Sequence, residues 1–176
     1  MPRKFVALDT RFLLALEKGE PDCEGALDFF SQLGLFGIIT ETVRKELSDL
    51  EFNSANPEVK RVAAAVLRKA HLYNILSPDL ADVDRSISEL IAARLLERGI
   101  IAGGTLDDAR VIAEAGLQNC LFLLTDREVL TEADPEVVRM ILISQDVGGC
   151  FILPLRVIPE MQAQIEAFRR QPRRPT

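Results

Sequence analysis

The sequence is poor in the residues from which several kinds of functional site are built. Its 176 residues include no Trp, one Tyr and one His, and aromatic residues make up 6% of the chain. This scarcity argues against aromatic stacking platforms for single-stranded nucleic acid. The three cysteines, Cys23, Cys120 and Cys150, are far apart and form no Cys-x-x-Cys motif. With a single His beside them, a zinc site has little support.

Long apolar segments and an excess of positive charge are also lacking. No run approaches the roughly 20 apolar residues of a membrane span, and the first residues lack the apolar stretch of a secretion signal. Together with the odd number of cysteines, this predicts a cytoplasmic protein without a membrane segment. The formal charge is −6, which argues against a broad basic face for nucleic acid but permits a local basic rim.

What is present is the composition of an ordinary globular domain, 48% hydrophobic and 27% charged. We expect a single domain over residues 1–170 and a disordered basic tail over 171–176. Short apolar runs typical of buried strands alternate with helical patterns, and they lie at 4–8, 36–40, 72–76, 120–125 and 150–153. The alternation predicts a three-layer α/β/α sandwich with a central, mainly parallel sheet of about five strands.

Acidic side chains follow two of the predicted strands. Asp9 comes directly after the first apolar run, and Asp126 follows the strongest one. In a parallel sheet, ligands bind at the carboxyl ends of the strands, near the switch in strand order. Glu46 lies on the helix after the second strand, and Asp108 lies in the first turn of the helix before the strongest strand. All four carboxylates could therefore face one edge of the sheet.

Four clustered carboxylates raise one another's pKa values, so a folded protein keeps them where a cation occupies the middle. Mg²⁺ or Mn²⁺ prefers such oxygen ligands and can support phosphodiester hydrolysis. A simpler interpretation also exists for each residue, because strands commonly end in surface Asp residues. Asp108 could interact with its helix dipole, and Glu46 could lie on a solvated face. The order and spacing of the four acids favour the functional interpretation.

Four segments resemble the motifs of the PIN-domain family of ribonucleases, in the family's order. The first is the apolar strand that ends in Asp9-Thr10, and the second places Val43 three residues before Glu46 and Leu47 after it. The third is Asp108 at the start of a helix rich in small residues, and the fourth is Leu123-Leu-Thr125-Asp126-Arg127. Together these motifs cover most of the chain.

The resemblance implies a carboxylate pocket that binds Mg²⁺ or Mn²⁺ and cleaves single-stranded RNA. Its catalytic residues would be Asp9, Glu46, Asp108 and Asp126, of which Asp9, Asp108 and Asp126 would bind the metal. The hydroxyls of Thr10 and Thr125 stand beside proposed ligands and could orient them. Many members of the family are toxins of type II toxin–antitoxin pairs, often dimeric, and others process RNA. The resemblance thus implies a small antitoxin protein and a homodimer as partners.

The sequence departs from the family's pattern at several positions. Arg11 follows Asp9-Thr10 where the family usually has Asn or Ser, and both Arg11 and Arg127 are candidates for RNA contacts. In the fourth motif one residue often separates the Thr from the Asp, whereas here they are adjacent, so Glu128 could take the place of Asp126. The third ligand could be Asp107 or Asp108.

The prediction is therefore a metal-dependent endoribonuclease acting on single-stranded RNA, in the toxin class of the family or outside it. Extra helix between residues 50 and 99 makes the chain longer than a typical toxin of this family. The alternative is a catalytically weak or inactive PIN-like module that binds RNA or a protein partner.

Overall fold

A computed structural model describes residues 4–170 of the chain, and the predicted basic tail at 171–176 lies outside these residues. The described part contains one sheet of four parallel strands in the order β2-β1-β3-β4. The strands are β1 (Lys4–Leu8), β2 (Leu35–Ile38), β3 (Cys120–Leu124) and β4 (Phe151–Leu153). The predicted α/β architecture with a central parallel sheet is confirmed.

Helices connect and flank the strands. They are α1 (Thr10–Glu17), α2 (Pro21–Gln32), α3 (Glu41–Asn53), α4 (Pro57–Lys69), α5 (Asp82–Glu97), α6 (Leu106–Leu117), α7 (Glu128–Thr131), α8 (Pro135–Ile143) and α9 (Ile158–Arg170). Within residues 4–170, no helix is both long and apolar enough to cross a membrane.

The core lies between the sheet and its helices. Val6, Ala7 and Leu8 of β1 and Leu123 and Leu124 of β3 are almost completely buried. Such continuous burial is expected where helices cover both faces of a parallel strand, and it explains why these runs are apolar throughout rather than alternating.

The estimate of about five strands is one too many for the described residues. The apolar run at 72–76 forms no strand, because Ala70–Tyr73 is a 3-10 helix and Asn74 adopts a left-handed conformation with φ of 56°. The chain touches the sheet there through a single bridge between Leu76 and Ile38. A short apolar run does not by itself distinguish strand from helix, and Leu72 is in fact 67% exposed.

The register of β1 and β3 determines where their following residues lie. Leu8 is opposite Leu124, and the backbone N–H of Asp9 donates to the carbonyl oxygen of Leu124 over 3.1 Å. Asp9 and Thr125 therefore emerge side by side at the carboxyl edge of the sheet. The chain runs from β1 to one side and later returns to its other side with β3, so this edge is the switch in strand order.

The two helices that carry Glu46 and Asp108, α3 and α6, begin with capping residues. Thr40 caps α3 by accepting a hydrogen bond from the N–H of Val43, as its position predicts. Thr105 and Asp108 form a reciprocal capping box at the start of α6. These caps fix the first turns of the two helices that carry Glu46 and Asp108.

Gly116 on α6 allows a close approach to the segment after α8, which makes a substitution informative. A Cβ at this position would lie 2.9 Å from Cγ1 of Val147 and 3.0 Å from the carbonyl oxygen of Gly148. We expect Gly116→Ala to lower the free energy of unfolding by about 1–3 kcal/mol through overpacking, despite the better helix propensity of Ala. Urea denaturation measures this change.

Gly25 on α2 supplies the matched control. A Cβ there would meet no atom within 4 Å, so Gly25→Ala should stabilise the protein by up to about 1 kcal/mol. Equal effects of the two substitutions would contradict the close packing at Gly116.

Candidate metal and nuclease site

Asp9 is the most deeply buried acid of the site. It occupies the N-cap position of α1, yet its side chain makes no capping hydrogen bond. Its carboxylate is fully buried and accepts a hydrogen bond of 3.0 Å from the hydroxyl of Thr125. Burial raises the pKa of Asp9, and the positive charge of Arg127 only partly offsets that rise. The carboxylate of Asp9 therefore does not cap α1 but contacts Thr125 and Arg127.

Asp108 uses its two carboxylate oxygens for different purposes. One oxygen, Oδ2, accepts hydrogen bonds of 2.8 Å from both the N–H and the hydroxyl of Thr105. The other, Oδ1, lies 2.7 Å from Nη1 of Arg127 and faces Asp9 and Glu46 across it. Burial alone would raise the pKa of Asp108, but the hydrogen bonds from Thr105 and Arg127 outweigh burial and lower it. Asp108 is therefore both a helix cap and an ionised member of the site.

Glu46 completes the group from α3. Its carboxylate accepts a hydrogen bond from the hydroxyl of Thr10 and pairs with Nη2 of Arg127. Its side chain is partly exposed, at 20%, whereas that of Asp9 is fully buried. The structure thus brings Asp9, Glu46 and Asp108 together, with Thr10 and Thr125 each bonded to one of the carboxylates.

The guanidinium of Arg127 stands in the middle of the three carboxylates. Its Nε lies 2.9 Å from Oδ1 of Asp9, and its other two nitrogens contact Asp108 and Glu46. Burial would lower the pKa of Arg127, but the hydrogen bond to Glu46 and the neighbouring negative charges raise it overall. Arg127 is therefore permanently charged, as Arg is expected to be.

The sequence predicts an RNA contact for Arg127 but not this central position. The spacing of the fourth motif could have indicated that Arg127 occupies this central position. Two residues after Thr125, where the motif that this segment resembles often has its acid, this chain has Arg127, whose backbone N–H donates to the hydroxyl of Thr125 over 3.0 Å.

Asp126 is not brought into the carboxylate group. Its side chain is directed to the other side of the strand end, where it accepts a hydrogen bond of 2.9 Å from the N–H of Leu155. It lines a separate cavity between α2 and the start of α9. Successive residues of an extended chain point to opposite sides, so Thr125 and Arg127 face the site while Asp126 faces away. The expected catalytic and metal-binding place of Asp126 therefore receives no support from the geometry.

The remaining alternatives are separated by position. Asp107 pairs with Arg110 over 2.6 Å, away from the three carboxylates, so Asp108 is the acid that α6 contributes. Glu128 and Arg11 are exposed and line a cavity of about 780 Å³ that Glu46, Asp108 and Arg127 also line. The cavity gives a large ligand access to the site.

The donor set matches a hard divalent cation, although a guanidinium lies within it. Three carboxylates converge from the residue after β1, from α3 and from α6, and the buried Oδ1 of Asp9 lies 2.9 Å from Nε of Arg127. Oxygen ligands of this kind suit Mg²⁺ or Mn²⁺. As they are arranged here, no group of three or more His, Cys, Asp or Glu side chains in residues 4–170 could hold a metal ion. An ion in contact with all three carboxylates would have to take the place of the Arg127 guanidinium, which contacts each of them.

A further acid, Glu114 of α6, supports the site without facing it. It is buried, and its carboxylate accepts hydrogen bonds from the N–H of Thr42 over 2.9 Å and from the hydroxyl of Thr42 over 2.7 Å. Burial raises its pKa more than these hydrogen bonds lower it. Glu114 thus joins α6 to the first turn of α3, the two helices that carry Asp108 and Glu46. In the sequence, this structural role could have been suspected because Glu114 is the single charged residue in the apolar stretch 111–116.

The three cysteines form no site. All three are buried and unpaired. Burial raises the pKa of Cys120 to about 12, so its thiol stays protonated and inert at neutral pH.

Comparison with known proteins identifies solved structures of similar fold. No family model matches the chain, and neither does any curated protein. Among solved structures, the chain is similar to VapBC2 from Rickettsia felis bound to a DNA fragment from their promoter, with a TM-score of 0.55, 14% identity, and coverage of 85% of this chain and 98% of that one. This likeness confirms the PIN-like fold that the four motifs predict.

Two further solved structures are more distant. VapC20 from Mycobacterium tuberculosis, described as a toxin that cleaves the sarcin-ricin loop, gives a TM-score of 0.48 and 15% identity over 70% of this chain and 92% of that one. FitAcB from Neisseria gonorrhoeae gives a TM-score of 0.46 and 17% identity over 83% of this chain and 96% of that one.

Proposed function

We propose that the protein is a divalent-cation-dependent endoribonuclease that hydrolyses phosphodiester bonds of single-stranded RNA. The observation that carries the proposal is the convergence of Asp9, Glu46 and Asp108 at the switch in strand order, beside an open cavity. Three acids drawn from distant parts of the chain repel one another, and the single charge of Arg127 compensates that repulsion only in part.

In this proposal Asp9, Glu46 and Asp108 would hold Mg²⁺ or Mn²⁺. When bound, such an ion neutralises the charge of the phosphodiester and lowers the pKa of a water molecule. Two hydroxyl groups of the chain orient the carboxylates. Thr125 fixes the carboxylate of Asp9, and Thr10 fixes that of Glu46. Glu46 is the most exposed of the three acids and would accept the proton of the attacking water at its carboxylate.

The direct test incubates the purified protein with fluorescently labelled single-stranded RNA in Mn²⁺ or in excess chelator. We expect cleavage in Mn²⁺ that chelation abolishes. Asp108→Asn should lose at least about a hundredfold in rate, since one carboxylate supplies several kcal/mol of charge stabilisation. Asp107→Asn is the matched control, because Asp107 pairs with Arg110 and not with the site.

The alternative function, a PIN-like module that binds RNA or a protein without cleaving it, has one observation in its favour. Arg127 neutralises part of the charge on the three acids. RNA that is retained on the protein but stays intact in both Mn²⁺ and chelator would establish this alternative and reject the nuclease.

The toxin assignment is a finer proposal that rests on the resemblance to PIN-domain toxins. It predicts that the protein forms a homodimer and a complex with a small antitoxin encoded beside it. Co-expression of the adjacent small reading frame, followed by size-exclusion chromatography, tests both predictions. A monomer that captures no such product, although active on RNA, would place the protein among the RNA-processing members.

A further inference from the structure

Arg127 takes up the volume in which three acids from separate elements converge. Its guanidinium makes one contact with each acid, at 2.9 Å to Asp9, 2.7 Å to Asp108, and in a pair with Glu46. The strongest guanidinium–carboxylate contacts are two-point pairs with a single acid. Spread over three carboxylates, Arg127 acts instead as a central positive charge, which is the role of a metal ion in such a cluster.

The fit of Arg127 in this place is incomplete. Oδ1 of Asp9 is buried, and its charged partner is Nε of Arg127 at 2.9 Å, a contact that is an ion pair rather than a well-aligned hydrogen bond. One positive charge also leaves three carboxylates undercompensated. A divalent cation carries two charges and would compensate the three carboxylates more fully than the single charge of the guanidinium does.

Arg127 borders open space beside the three acids. It belongs to the short connection between β3 and α7, and its side chain is 15% exposed and lines the cavity of about 780 Å³. Arg11 lines the same cavity. A phosphate that entered there would meet two guanidinium groups, and guanidinium binds phosphate through two parallel hydrogen bonds.

We infer that Arg127 and a divalent cation compete for Asp9, Glu46 and Asp108, and that Arg127 transfers to an RNA phosphate when the cation binds. This inference rests on the proposed function, because it assigns a regulator to the same site. Arg127 is then a positioning residue that makes ion binding and phosphate binding mutually dependent. Thermodynamic linkage requires the two effects to be equal, so a phosphate-bearing strand must raise the affinity for the ion by the factor with which the ion raises the affinity for the strand.

The first part of the test is a calorimetric titration of Mn²⁺ into the full chain without nucleic acid. Arg127→Gln should bind Mn²⁺ at least about tenfold tighter than the wild type, since it removes a charge from the ion's position. Arg127→Lys retains the charge and should stay within about threefold of the wild type, because the charge competes with the ion. Asp9→Asn should bind more weakly than all three, which locates the ion.

The second part repeats the titration with a short single-stranded oligodeoxynucleotide present. The oligonucleotide should raise the Mn²⁺ affinity of the wild type by at least about fivefold, a typical lower limit for coupled sites. It should have little effect on Arg127→Gln, in which the acids are already free. The wild-type comparison is informative even if Arg127→Gln does not fold.

The outcomes separate this inference from the proposed function. Equal Mn²⁺ affinities of wild type and Arg127→Gln, or a wild-type affinity that the oligonucleotide leaves unchanged, would overturn the competition while the metal site stands. Absence of Mn²⁺ binding by every variant would reject the metal site and the inference together.

Discussion

Replacement of Asp9 by Asn is expected to slow RNA cleavage by about a thousandfold, equivalent to about 4 kcal/mol of transition-state stabilisation, while the fold persists. Asp9 is fully buried beside the position proposed for the ion, and Asn has the same shape without the charge. Its amide oxygen can still accept the hydrogen bond from Thr125. Initial rates on labelled RNA in Mn²⁺, with thermal unfolding followed by circular dichroism, measure both quantities.

Asp126→Asn is the control that the structure supplies. This acid also follows a strand of the sheet, but it accepts its hydrogen bond from the N–H of Leu155, on the other side of the strand end. We expect the rate to change by less than about threefold, because surface substitutions away from a site have small effects. Equal losses in the two variants, or unchanged cleavage in Asp9→Asn, would remove Asp9 from its special role.

Replacement of Glu114 by Ala is expected to give the largest loss of stability, about 2–4 kcal/mol, since it leaves a buried N–H and a buried hydroxyl of Thr42 without their acceptor. Because these groups lie in the first turn of α3, the change should also disturb Glu46 farther along that helix. Urea denaturation at pH 7 measures the loss. Glu114→Gln retains one carbonyl oxygen and should lose less than half as much.

The pH dependence of this loss follows from the direction of the pKa shift. Burial raises the pKa of Glu114 in the folded protein. A group of this kind contributes most stability below its unfolded pKa, and the contribution falls as the pH rises through the folded value. The difference in unfolding free energy between wild type and Glu114→Ala should therefore be larger at pH 5 than at pH 8. The opposite trend would show that Glu114 is stabilised as an anion.

Much of the site could be predicted because its geometry follows from chain direction. Asp9 had to emerge at the carboxyl edge of the sheet, since β1 is a buried parallel strand. Asp108 had to lie in the first turn of a helix that leads into β3. These placements depend on secondary structure alone, which the apolar runs indicate well.

The fourth position could not be predicted in this way, because it depends on which side of the chain a residue faces. With one residue fewer between Thr125 and the following acid than the resembled motif often has, Asp126 turns to Leu155 and Arg127 turns to the site. A shift of one residue in an extended segment exchanges its two faces. The predicted strand at 72–76 failed for a related reason, since the left-handed Asn74 is not visible in an apolar pattern.

The most direct measurement is anomalous diffraction at the manganese edge from crystals of Arg127→Gln grown with Mn²⁺. The central claim predicts a single strong peak within coordination distance of carboxylate oxygens from Asp9, Glu46 and Asp108, at the place where the wild type has its guanidinium. A map without a peak between these three side chains, at an Mn²⁺ concentration that saturates any binding seen in solution, would contradict it.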